Sequence, residues 1–292
     1  MKYQRMLYET VEPGIVKIMM NRPEKRNAQD ALMFSEMTDA FIKADLDETV
    51  RVIILGGVGK DFSAGHDMSG AGEPAHKETV LGQALDTKLT GMEMRFKRET
   101  YIYLRQCLDI RNCSKPTIAM VQGNAIAGGW MNAAMCDLII ASDDAQFIDP
   151  VLRMTPAAVE VLYHPYDIGF RKAKRILWTG EPISAQEGKR LGFVEEVVPR
   201  DKLEATTLEL ARKIALNQPV AVGLVKNSLN HAWDLMGQRM AYEYHFLIHE
   251  LSHSSDEAKR WNENRATALG QGGVKEMLKL RDDKFKADGA KY

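Results

Sequence analysis

The 292-residue sequence predicts an α/β fold, and three observations carry that prediction. Short apolar runs rich in β-branched residues (Val50–Leu55, Thr117–Val121, Leu138–Ala141) read as buried strands. Stretches of helical periodicity alternate with them, the order expected of a sheet covered by helices. Glycine-bearing turns follow two of the strands, and from about Phe170 the chain turns mostly helical.

Taken in order, Leu7–Glu9 and Ile15–Met20 are strands separated by the turn signal Glu-Pro-Gly. Asn21–Asn27 is a polar loop. Residues 30–46 place Leu32, Met33, Met37, Phe41, Ile42 and Leu46 at helical spacing. The run 50–55 is a buried strand, Gly56–Lys60 turns, and Phe62-Ser-Ala-Gly-His-Asp67 follows. Residues 69–90 are rich in small and polar residues without periodicity, which predicts a long surface loop near a site. Met94, Tyr101, Leu104 and Leu108 restore helical spacing, and Lys115-Pro116 ends that helix and launches the strand 117–121. Ser184-Ala-Gln-Glu187 is a capping-box signature, Leu191-Gly192 closes the helix it opens, and Phe193–Val198 is a short strand. Helices are expected over 201–216, 220–233, 236–252 and 255–285. The expected organisation is a core over 1–198 and a helical region over 199–292 for packing and oligomerisation.

Composition excludes several classes. Hydrophobic residues make up 45% and charged residues 27%, with a formal net charge of −1, ordinary for a globular protein and unlike a nucleic-acid binder. The interrupted basic cluster Arg171–Arg175 reads as a solvated helix face. Apolar runs are broken by Gly, Asn or Asp before reaching membrane-spanning length. Cys107, Cys113 and Cys136 show neither metal spacing nor an even count, which fits reduced thiols in a cytoplasmic protein, and no metal ligands are expected.

The chemistry concentrates in two turns. The strand 52–55 feeds Ser63-Ala64-Gly65-His66-Asp67, and the strand 117–121 feeds Ala127-Gly128-Gly129. Ligands of α/β sheets sit beyond the carboxyl ends of strands, so neighbouring strands bring both turns to one rim. There the backbone N–H groups of His66 and Gly128, the latter at a helix start, can converge on one oxygen. Two such donors stabilise the enolate formed when a thioester loses an α-proton.

These turns, with Lys115-Pro-Thr-Ile-Ala-Met-Val-Gln-Gly-Asn-Ala-Ile-Ala-Gly-Gly129, Met135-Cys-Asp137, Ala145-Gln-Phe147, Leu177-Trp-Thr-Gly180, Ile183-Ser-Ala185 and Leu191-Gly-Phe-Val194, resemble the enoyl-CoA hydratase/isomerase (crotonase) family. The resemblance runs from about Leu7 to Val198, and the helical tail matches in character. It implies a spiral of ββα units with a helical C-terminal region, assembly as a homotrimer or dimer of trimers, and an acyl-CoA substrate. Coenzyme A would enter as part of that substrate, with no tightly bound cofactor. The oxyanion donors would be His66 and Gly128. Ala64, Gly65, His66, Asp67 and Met68 would line the bound thioester and adenine, and Lys25 and Arg26 would approach the CoA phosphates.

The chain also departs from the family pattern. Hydratases carry glutamates at positions that are Met131 and Val151 here. Hydration needs one group to activate water and another to deliver a proton, and neither Met nor Val does this. Glu160 is the first substitute acid/base, followed by Asp149 and the His66 imidazole. Tyr163, His164 and Tyr166 read as pocket wall. Three functions remain open: a hydratase-like enzyme with a non-standard acid/base set; an isomerase, decarboxylase or C–C hydrolase; or a non-catalytic acyl-CoA-binding subunit.

Overall fold

The computed structural model describes residues 2–69 and 72–286. A six-stranded sheet is built from β1 (Met6–Glu12), β2 (Ile15–Met20), β3 (Val52–Gly57), β4 (Thr117–Val121), β6 (Leu138–Ser142) and β9 (Glu196–Val198), hydrogen-bonded in that order. β1 pairs antiparallel with β2, and every later pairing in this sheet is parallel. A second sheet joins β5 (Asn124–Ile126), β7 (Gln146–Ile148) and β8 (Ile183–Ser184). The central strands β3 and β4 are buried at every position, as their uninterrupted apolar sequence requires.

Helix α1 (Ala31–Leu46) is capped by Asp30, whose carboxylate accepts from the Met33 amide at 2.9 Å. It buries Leu32, Met33, Met37 and Phe41, while Ile42 and Leu46 lie on the exposed side. The expected loop 69–90 contains a further short helix, α2 (Val80–Leu85), capped by Thr79 and anchored by buried Leu81 and Ala84. Its single apolar pair is too little for periodicity to reveal. Residues 70 and 71 of that expected loop lie outside the described residues.

Helices α3 (Gly91–Glu99) and α4 (Gln106–Asn112) are joined by a π-helical stretch, Thr100–Arg105. Next come α5 (Gly128–Ala134), α6 (His164–Ile168), α7 (Phe170–Thr179) and α8 (Ala185–Leu191). Ser184 caps α8 by accepting from the Glu187 amide at 3.2 Å, and Gly192 closes it in the left-handed region. The cluster Arg171–Arg175 lies on α7, where Lys172 pairs with Glu187 and Arg175 with Glu181.

The C-terminal helices are α9 (Leu203–Ala215), α10 (Pro219–Leu235), α11 (Gln238–Ser252) and α12 (Asp256–Lys286), the last kinked at Gly272–Gly273. α9 lays Leu203 and Ala211 against Ile15, Val52, Ile54, Ile118 and Ile140, covering one face of the large sheet. The other face packs on α1, α4 and α5 around Phe34, Phe41, Ile110 and Trp130. All three cysteines are buried and unpaired. Among the described residues no helix is long and apolar enough to cross a membrane.

Candidate active site

The parallel register of β3 and β4 (Ile53 opposite Thr117, Gly56 opposite Met120) brings their carboxyl ends to one edge. The chain leaving β3 is held by Asn27. Its side-chain amide donates to the carbonyls of Val58, Asp61 and Phe62 at 3.0, 2.9 and 3.1 Å, and its oxygen accepts from the Arg22 amide at 2.9 Å. Residues 63–67 then run beside β5. The Ser63 amide donates to Asn124 O at 3.0 Å and the Ile126 amide to Ser63 O at 2.9 Å.

This pairing presses the two glycine turns together. Gly65 has φ +81°, and a Cβ there would stand 2.6 Å from Ile126 O and 3.3 Å from Gly128 N. A Cβ on Gly128 would stand 2.3 Å from His66 Nε2. Between them Ala127 holds φ 48°, a conformation costly for a residue with a side chain. The amides of Ala64, Gly65, Asp67 and Ala127 donate to Arg26 O, Ser63 Oγ, Gln29 O and Ile148 O. Those of His66 and Gly128 have no hydrogen-bond partner among the described residues.

The turns open on a cavity of about 740 Å³. The His66 imidazole stacks on Tyr103, carried by the π-helical stretch, with ring centroids 4.1 Å apart and planes 10° from parallel. Phe34 meets both rings edge-on. Burial, with the nearby Arg98 cation, pushes the imidazole down to about 3, so the ring is neutral. Its Nδ1 lies 3.5 Å from Glu160 Oε1. Glu160 lines the cavity, and its Oε2 is buried without a hydrogen-bond partner among the described residues. Burial and the neighbouring Glu99 carboxyl push Glu160 well above the ordinary carboxylate range.

Asp149 occupies a different setting. It is buried behind the cavity wall, where its carboxylate accepts from the amides of Val151 (3.0 Å) and Val159 (3.4 Å) and faces His164 Nε2 at 3.3 Å. Burial alone would raise its pKa, but the His164 contact and the two amides overcome this and hold it below the usual range. Asp149 thus fixes the segment that presents Glu160. Tyr163 and His164 stack on one another and pack against Trp130, away from the cavity lining.

Met131 is part of the core, whereas Val151 forms cavity wall. Of residues 64–68, Ala64, His66, Asp67 and Met68 line the cavity while Gly65 lies behind them against Ile126. Asp67 is paired with Arg22 at 2.6 Å. Lys25 is exposed, and the Arg26 guanidinium is engaged by Asp61 at 2.7 Å; neither lines the cavity.

Sequence reasoning missed the far wall. α3 contributes Arg95, Arg98 and Glu99; α11 and its cap contribute His249 and His253; α12 contributes Trp261 and Arg265. Arg265 donates to Met68 O at 2.7 Å, tying α12 to the His66 turn. Tyr103 and Glu99 carried no local signal. His249 and His253 did, because His249-Glu250-Leu251-Ser252-His253 sets two imidazoles one helical turn apart.

Residues 10–268 match the enoyl-CoA hydratase/isomerase family. A Mycobacterium tuberculosis protein with the provisional name enoyl-CoA hydratase EchA13 is 38% identical over 280 residues, covering 94% of this chain and 86% of the relative. A crystal structure from Mycobacterium thermoresistibile, provisionally titled an enoyl-CoA hydratase, superposes with a TM-score of 0.76 at 39% identity, covering 85% of this chain and 96% of that one. An enoyl-CoA hydratase/isomerase structure from Xanthobacter autotrophicus Py2 superposes at 0.82 with 29% identity, covering 97% and 99%. The fold is the crotonase fold. The chain belongs to the enoyl-CoA hydratase/isomerase family.

Proposed function

We propose that this chain processes acyl-CoA thioesters, holding the thioester oxygen between the amides of His66 and Gly128 and moving a proton with Glu160. The observation that carries the reading is the pair of unclaimed amides in two turns pressed together, beside a cavity that His66 and Ala127 line and with a buried carboxyl next to the His66 ring. Negative charge that develops on the carbonyl oxygen when the α-carbon loses or awaits a proton is met by fixed donors. Burial pushes the Glu160 carboxyl up and so favours its protonated form, which suits it to deliver that proton, and its conjugate base to remove one. The neutral His66 ring, wedged between Gly128 and Tyr103, keeps both amides in place. Arg95, Arg98 and Arg265 on the cavity wall suit an anionic ligand such as a CoA ester.

Hydration with this altered acid/base set is the first reading. Met131 and Val151 favour an isomerase as the second, because one carboxyl suffices to carry a proton between two carbons of the acyl chain. No cofactor is required for either step. The exposed apolar residues of α10 and α11, Leu224, Leu229, Met240 and Leu247 among them, are the subunit contact of the expected trimer. Three unpaired thiols suit a reducing cytoplasm.

The test is spectrophotometric. Crotonyl-CoA and longer 2-enoyl-CoAs should lose their conjugated-thioester absorbance, and Glu160→Gln should lower kcat about 10²–10⁴-fold with little change in KM. Undiminished turnover in that variant removes Glu160 from the mechanism. Absorbance gained from 3-enoyl-CoA, with none lost from 2-enoyl-CoA, establishes the isomerase. Tight CoA-ester binding without turnover of either makes the chain a non-catalytic acyl-CoA-binding subunit.

A further inference from the structure

The far wall of the cavity carries a cluster that the acyl-CoA reading does not use. His249 Nε2 and His253 Nε2 are 3.1 Å apart, and Glu99 Oε2 lies 3.7 Å from the first and 3.9 Å from the second. We propose that Glu99, His249 and His253 form a binding site for a borderline divalent cation of the Zn²⁺ type. The sequence reading expected no metal.

Three donors separated by 3.1, 3.7 and 3.9 Å have a point about 2.1 Å from each, the length of a zinc bond to imidazole nitrogen or carboxylate oxygen. The ring nitrogens are also aimed. His249 Nδ1 is 2.9 Å from Ala158 O, which fixes its proton there and leaves the Nε2 lone pair facing the cluster. Glu99 Oε1 lies 3.8 Å from the Arg95 guanidinium, whereas Oε2, the atom facing both imidazoles, is buried without a hydrogen-bond partner among the described residues. A buried carboxylate oxygen left unpaired is costly, and a cation satisfies it.

The sequence supplies an independent observation. His249-Glu250-Leu251-Ser252-His253 is an H-E-x-x-H run on a helix, the spacing that puts two imidazoles on one face for zinc. The third donor comes from α3, so the ion would join α3 to the end of α11. Two imidazoles and a carboxylate suit Zn²⁺ or Co²⁺ better than Mg²⁺ or Ca²⁺, which favour oxygen donors throughout. Glu160 Oε1, 3.6 Å from His249 Nε2, stands next to the site, and the remaining coordination faces the cavity. The cluster stands whether or not the acyl-CoA reading holds.

The test uses the full chain without a histidine tag, stripped with chelator, loaded with Co²⁺ and desalted. One Co²⁺ per chain should be retained, with the intense visible bands of a low-coordinate site, and Zn²⁺ should displace it and quench the bands. His253→Gln and Glu99→Gln should each weaken retention beyond the roughly 10–100-fold that loss of an outer-shell partner costs. His253 is part-exposed, so its variant should keep the circular dichroism and chelator-state melting of the parent, which separates lost ligation from lost folding. Absence of retained metal overturns the proposal and makes the 3.1 Å contact an imidazole–imidazole hydrogen bond. Retention with unchanged bands in His253→Gln overturns it equally, by placing the ion elsewhere.

Discussion

Gly128→Ala tests the rim through the contact that makes it. The added methyl would sit 2.3 Å from His66 Nε2, 2.5 Å from His66 Cδ2 and 2.9 Å from Gln29 Oε1. The imidazole cannot swing aside freely, because its other face lies on Tyr103 with the rings 4.1 Å apart. Overpacking of this kind costs about 2 kcal/mol, which for a chain of this length lowers Tm by about 3 °C. Moving the 127–129 turn also misplaces an amide donor, and loss of one such donor lowers turnover about 10²–10³-fold. The decisive measurement is a double-mutant cycle by urea denaturation. His66→Ala keeps its own backbone amide but removes the obstructing ring, so Gly128→Ala in that background should cost less than half as much. Equal cost in both backgrounds would refute the steric coupling. Unchanged kcat in Gly128→Ala would refute the amide's role.

Two further perturbations probe the supports. Asn27→Ala removes donors to three carbonyls and an acceptor for one amide in a buried loop, so it should cost roughly 3 kcal/mol in urea denaturation, and a loss under about 1 kcal/mol would show that water replaces the side chain. Asp149, with its pKa held below the usual range, contributes stability above the unfolded carboxylate value near 4 and loses it as pH falls through the lower folded value. The stability gap between the parent and Asp149→Asn should therefore be level from about pH 5 to 8 and shrink below about pH 4; a gap independent of pH would contradict the assignment.

The parts of this fold that announced themselves did so through local chemistry. β3 and β4 are uninterrupted apolar runs, Pro116 marks the start of β4, and Ser184 and Gly192 bracket α8. The second sheet was invisible because its strands span two or three residues, too few for alternation, and they are stabilised by partners far along the chain. The same distinction divides the site. His66 and Gly128 sit in turns that glycine makes conspicuous. The placement of Glu160 beside His66 depends on Asp149 drawing the amides of Val151 and Val159 together, a tertiary arrangement with no periodic signature. Glu99 and Tyr103 belong to a helix that departs from α-helical winding at Thr100, so even a correct helical wheel would misplace Tyr103.

Arg265 on α12 grips the carbonyl of Met68, and Trp261 beside it walls the cavity, so the pocket is finished by residues made well after both rim turns. A ribosome adding about 5–20 residues per second delivers both rim turns long before α12 exists. For that interval a nascent chain has its two glycine turns without the α12 side of the cavity wall. The order of synthesis thus acts as a delay, making the rim early and enclosing it late, and a chain cut short before α12 would carry an open basin in place of a walled pocket.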